Sequence, residues 1–268
     1  MTAEVMTARL PLALLAGAFL LGPGEARSEP VAVRFPEGLV HGFLGLSTLA
    51  GQPLADGDLL QVAHGDRVTS RLVFRFKDGS SSEETSVFTQ QGHFRLVSSR
   101  LVQKGPAFKT PIDARIDVAG GRVEVRYTED GEEKTETEQM TLPPDLANGL
   151  ILVLLKNLDP DAGAATVSML ALTPKPRLVK LRIERRADEP FRFGRTSRKA
   201  IRYVVKVDIG GITGVLASLL GKEPPDSSVW ILGGEAPAFV KSESPMFVGG
   251  PLWRIELVSP VWPGTSGG

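Results

Sequence analysis

The stretch from Pro143 to Leu158, PPDLANGLILVLLKNL, is apolar on nearly every side. Leu146, Leu150, Leu154 and Leu158 recur every fourth residue. Ala147, Ile151 and Leu155 form a second row beside them, and Leu152 and Val153 fill most of the remaining arc. A helix with no polar stripe has to be covered on several sides. Almost everything else in the chain reads as strand. The expectation is therefore a mainly β (α+β) fold: a single curved antiparallel sheet, or open half-barrel, of about 11–12 strands wrapped around one buried apolar helix at about residues 144–157.

The ends of that helix look locally encoded. Pro143 and Pro144 suit a first turn, whose N–H groups have no helical partner. Asp145 would place negative charge at the positive end of the helix dipole. Lys156 falls in the last turn, Asn157 can take a left-handed cap, and Pro160 prevents continuation. Gly149 in mid-helix would cost about 1 kcal/mol against alanine. It implies either close packing against a strand or room for a ligand.

The N-terminus reads as an export signal over residues 1–28. Arg9 precedes an apolar run from Leu10 to Leu21, Gly22-Pro23-Gly24 breaks it, and Ala26-Arg27-Ser28 has the small-x-small spacing of a cleavage site. Processing there would leave a chain of about 240 residues, a length at which an all-β chain commonly forms one domain, here 29–262, with a Pro/Gly/Ser-rich tail over 263–268. An uncleaved anchor is the alternative, but the run is short for a bilayer span. The expected location is the periplasm. Cysteine is absent, so disulfides, thiol catalysis and cysteine-held zinc are excluded, and core burial has to stabilise an exported fold.

The clearest alternation is Arg67–Lys77: Val68, Ser70, Leu72, Phe74 and Phe76 share one face, and Arg67, Thr69, Arg71, Arg75 and Lys77 mostly the other. Further strands are expected over 39–49, 58–63, 85–89, 94–102, 112–118, 122–127, 166–172, 178–185, 200–208, 228–232 and 252–258, with a short one at 238–241. Asp56-Gly57 and Gly120-Gly121 read as hairpin turns. The acidic run Glu129–Glu138 reads as a long exposed hairpin tip.

No motif points to catalysis, so the chain is expected not to be an enzyme. Gly264-Thr265-Ser266-Gly267-Gly268 matches the nucleophile-elbow pattern, but that chemistry needs a helix after the serine. The Gly214–Lys222 segment has neither phosphate-loop spacing nor a magnesium-binding hydroxyl, because Glu223 stands there. His41, His64 and His93 have no second ligand at metal spacing. No cofactor or metal is expected. Lys+Arg and Asp+Glu balance at 31 each, which argues against a nucleic-acid partner.

Two features point to binding. Twelve basic residues lie between Lys175 and Lys206, against three acidic ones. If the strands over 178–185 and 200–208 pair, Lys180, Arg182, Arg202 and Lys206 share a face, forming either a solvated surface or an anionic-headgroup patch. The other feature is Ile209–Leu220, IGGITGVLASLL, too apolar for a free connection. It would be a flap over an open end of the sheet, fixed or mobile, or a finger touching a membrane.

A signal peptide, many antiparallel strands and a buried apolar helix resemble periplasmic half-barrels of the LolA/LolB lipoprotein-carrier type, in architecture over the whole mature chain. That resemblance implies a concave sheet that holds acyl chains. The function expected is a periplasmic, non-enzymatic binding protein for an apolar or amphiphilic, lipid-like ligand, with a membrane surface as a possible partner. Candidate ligand contacts are Leu150, Leu154, Phe74, Phe76, Leu216 and Leu219. The alternative is a structural or interaction protein of the cell envelope, its sheet filled by the helix.

Overall fold

The computed structural model describes residues 30–161, 163–193, 196–208 and 224–258. Among them a 14-stranded antiparallel sheet and a single helix are formed. The chain lays down β1 (Val40–Thr48), β2 (Pro53–His64), β3 (Arg67–Phe76), β4 (Ser81–Thr89), β5 (Arg95–Lys104), β6 (Ile112–Asp117), β7 (Arg122–Glu129) and β8 (Glu132–Gln139), each paired to the one before. The helix α1 (Ile151–Asn157) follows. Then come β9 (Ala165–Ala171), β10 (Arg177–Phe193), β11 (Thr196–Asp208), β12 (Ser227–Leu232), β13 (Ala238–Ser244) and β14 (Trp253–Leu257), again in series. Because β14 pairs with β1, the first and last strands meet in mid-sheet, and β8 and β9 are its two edges.

Strands in a sheet lie about 4.8 Å apart, so a flat sheet would separate β7 from β10 by on the order of 50 Å. Yet Val123, Val125 and Tyr127 of β7 lie in the same buried cluster as Leu181 and Ile183 of β10. The sheet is therefore strongly curved. That cluster also takes Leu150, Val153, Leu154 and Leu155. A second cluster forms around mid-sheet, where Leu44, Leu46, Phe74 and Phe76 meet Phe108 and Trp253. Its rings pack edge-on or tilted, Phe76 at 5.4 Å from Phe108 and 5.6 Å from Trp253, a geometry the ring quadrupoles favour.

The strand count exceeds the expected 11–12, and the acidic run explains part of the difference. Glu132–Gln139 is a paired strand, not a loop, and only Asp130-Gly131 turns. Both turn residues have positive φ, 54° and 81°, as a two-residue hairpin of matching twist requires. The expected hairpin at Asp56-Gly57 does not form. Those residues lie inside β2, with Asp56 opposite Arg75 and Gly57 opposite Phe74. A Cβ on Gly57 would overlap the Phe74 ring, so this glycine makes room for an aromatic ring.

The helix is shorter than the expected 144–157. Gly149 takes φ 69°, so no helix runs through it. A Cβ there would overlap Ser86 Oγ on β4, which agrees with the close-packing reading of this glycine. Residues 145–148 serve the sheet edge instead. Ala147 N donates to Ser168 O at 2.8 Å and Ser168 N to Asp145 O at 3.3 Å. Asn148 then copies a strand with its side chain, its Nδ2 donating to Leu170 O and its Oδ1 accepting from Leu170 N. Asp145 is not a dipole partner: its carboxylate accepts from Ser168 Oγ at 2.9 Å and lies 3.8 Å from Lys180 Nζ.

Asn157 is not a left-handed cap either, since Leu158 follows in extended conformation. Its buried amide faces the N-terminal segment: Oδ1 accepts from Arg34 N and Phe35 N at 2.9 and 2.7 Å, and Nδ2 donates to Val153 O. Two residues on, Glu37 pairs with Lys156 at 2.5 Å and accepts from Gln61 Nε2. The segment entering β1 is thereby tied to the end of α1.

Candidate functional site

Counting back from the turn at Asp78-Gly79 sets the register of β4 on β3: Arg75 faces Ser81, Phe74 faces Ser82, and Leu72 faces Glu84. Ser82, Glu84, Ser86 and Phe88 therefore point to the same side as the inward face of β3. The next strand continues the row, with Glu84 opposite Leu101 and Leu101 opposite Ala114. On the other side Leu72 faces Leu59. One inward row thus runs Leu59, Leu72, Glu84, Leu101, Ala114.

Most inward side chains of these strands are closed off from solvent, but Leu59, Leu72, Glu84 and Leu101 are only half-buried. They lie between the two apolar clusters, and Leu101 is a member of neither. The serines beside them satisfy one another: Ser86 Oγ donates to Ser99 Oγ, and Gln103 Nε2 to Met246 O and Ser82 Oγ. Glu84 is different. Among the described residues its carboxylate has neither a hydrogen bond nor an ion pair. Burial alone pushes its carboxyl up to about 7, because a low-dielectric surrounding penalises the charged form. Glu84 thus keeps some accessible surface within an otherwise enclosing surround. Gly149 lies against the carboxylate, since a Cβ added to it would lie 3.1 Å from Glu84 Oε1.

The expected ligand contacts are distributed otherwise. Leu150 and Leu154 are buried in the cluster that contains α1, and Phe74 and Phe76 in the mid-sheet cluster. The structure does not bring the four into one core. Leu216, Leu219 and the whole flap over 209–220 lie outside the described residues, as do the leader and the tail.

The basic hairpin forms as expected, with Arg182 opposite Lys206 and Lys180 opposite Asp208. Each cation of the patch has carboxylate company: Arg182 at 2.9 Å from Glu184, Lys206 at 3.8 Å from Glu184 and Asp226, Arg202 at 3.4 Å from Glu189, Lys180 beside Asp145. The balancing acids come from these strands and their neighbours rather than from the acidic hairpin. A bulge at Arg186 and Ala187 opens a groove of about 610 Å3 beside Arg202, Ser228 and Glu243. Above it Trp230 donates to Glu189 at 2.7 Å, and its ring lies 4.1 Å from Lys241 Nζ and 5.2 Å from the Arg202 guanidinium, both within cation–π range.

Glu84 was missed in the sequence because only Thr85–Thr89 read as strand. SSSEET offers no apolar contrast between its two faces, so periodicity is blind there. The signal that finds it is the turn: a register counted from Asp78-Gly79 places Glu84 opposite Leu72.

No protein-family model and no curated protein matches this chain. Among solved structures it is similar to a crystal structure of a beta-barrel-like protein of domain of unknown function DUF1849 from Brucella abortus, with a TM-score of 0.47 and 11% identity. The match covers 85% of this chain and 100% of that one.

Proposed function

We propose that this protein is an exported, non-enzymatic binding protein for an apolar or amphiphilic ligand, with a sheet that curls around α1 and holds the ligand beside it. The observation that carries this reading is the half-buried row Leu59, Leu72, Glu84 and Leu101, which lies between two closed apolar clusters on the inward side of the sheet. Apolar side chains left half-open beside one unpartnered polar group have the composition of a small-molecule site. Strands placed around them fix the walls, and α1 with its preceding turn forms the lid side.

Native mass spectrometry of the protein purified from producing cells is the test. A co-purified amphiphile, lost on organic extraction and displaced when Leu101→Trp fills the row, is the expected result. A bare mass, with no fluorescence rise from an added apolar dye, would refute the reading.

The second reading is a structural or interaction protein of the cell envelope. It draws on the 610 Å3 groove, whose mixed charges at Arg186, Glu189, Arg202, Asp226 and Glu243 suit a polar protein surface. Under that reading Arg202→Ala would weaken capture of an envelope partner and leave dye binding unchanged.

A further inference from the structure

Directly opposite Glu84 stand only leucines, Leu72 from β3 and Leu101 from β5, and the inward polar groups beside them, Ser70, Ser99 and Gln103, are uncharged. The charged neighbours Arg71, Glu83 and Arg100 project through the opposite face, where Arg71 pairs with Glu83 at 2.8 Å and Arg100 with Asp113 at 2.7 Å. The turn before α1 contributes Gly149, which has no side chain, and β4 itself contributes Ser82 and Ser86. The cations on the elements packed nearby are engaged elsewhere: Lys156 holds Glu37, and Lys180 holds Ser168 and lies by Asp145. Glu138, Glu136 and Lys134 line the inward face of β8, three strands beyond β5. The carboxylate therefore stands unanswered in an apolar row.

Resting on the binding role above, we propose that the ligand is an amine-headed amphiphile, whose ammonium group seats against the Glu84 carboxylate while its chain lies along Leu59, Leu72 and Leu101. An anionic head would meet an acid with no cation to offset it. A neutral hydroxyl or amide head could donate a hydrogen bond but would leave the negative charge uncompensated once the group ionises. An ammonium alone supplies both the missing donors and the opposite charge. The upward displacement of the Glu84 carboxyl adds a direction: on acidification the group takes a proton and loses its hold on the cation.

The test compares dodecylamine, dodecanol and dodecanoate on the purified protein by titration calorimetry, at about pH 8.5 and about pH 5.5, with Glu84→Gln alongside. A lone charge pairing in a desolvated site implies at least a tenfold preference for the amine over the alcohol at the higher pH. That preference should shrink several-fold at the lower pH and vanish in Glu84→Gln. Equal binding of amine and alcohol, tighter binding of dodecanoate, or a preference that survives in Glu84→Gln would overturn the amine assignment and leave the binding role standing. Failure of all three probes to bind would overturn both. The wild-type comparison decides the matter even if the variant folds poorly.

Discussion

Glu84 couples the site to stability. Its folded-state carboxyl sits near 7, above the ordinary glutamate value. The stabilisation gained by keeping it neutral is fully present below that ordinary value and is lost as pH rises through 7. Across that window folding stability should fall by up to about 3 kcal/mol from this group alone. Glu84→Gln, which cannot ionise, should flatten the profile and exceed wild type in stability at about pH 8. Urea melts of both proteins at several pH values check this, and parallel profiles would mean the carboxyl is well solvated. Gly57 and Gly149 teach a related lesson at single positions. Each is a glycine because a neighbour, the Phe74 ring or Ser86, occupies the place of its Cβ.

Among the elements, α1 is held by its ends more than by its own propensity. Seven residues are too few for a stable helix in isolation, and neither an acidic first turn nor a side-chain N-cap supports it. Its burial and the Asn157 amide do so instead. Asn157→Ala would strip an acceptor from the part-buried Arg34 N and Phe35 N and a donor from the buried Val153 O. Loss of buried polar partners costs about 1–3 kcal/mol each, so a total of at least 2 kcal/mol is expected. Amide exchange should localise the damage: faster exchange at Arg34 and Phe35, with the β3–β5 amides unchanged. Uniform acceleration would mean that the N-terminal segment is not a separate strap.

For the whole molecule, the open edges set the main hazard. An open sheet of this width exposes unpaired backbone at β8 and β9, a template for association. The two edges are guarded differently. β8 carries inward-facing Lys134, Glu136 and Glu138 within a strand that is mostly acidic. β9 is covered by residues 145–148, with Asn148 occupying the ladder position at Leu170. Asn148→Ala should uncover that edge. The expected result is a loss of roughly 2 kcal/mol and concentration-dependent association by light scattering, absent from wild type. A variant that stays monomeric at high concentration would show that the backbone bridge alone suffices.

By itself the sequence determined the β-rich class, one apolar helix and most strand positions, because each rests on contrast between neighbouring residues. Alternation in Arg67–Phe76 and in the strands at 178–185 and 200–208 is a local property, and it survives folding. What lacked such contrast became legible only in the tertiary structure. EEKTETEQ is polar on both faces, so its strand is stabilised by pairing with β7 and not by a pattern of its own. Asp56-Gly57 and Asp130-Gly131 are the same dipeptide, yet one lies in mid-strand and one turns; the difference is the Phe74 ring packed over the first. Pro144 to Leu150 has helical periodicity, but the free edge of β9 competes for its backbone hydrogen bonds and takes them. The inward position of Glu84 follows from register, a relation between two strands that neither strand contains alone. The proposed function rests on that kind of relation: an ordinary glutamate becomes a candidate ligand group only when the curved sheet sets it opposite leucines without a partner.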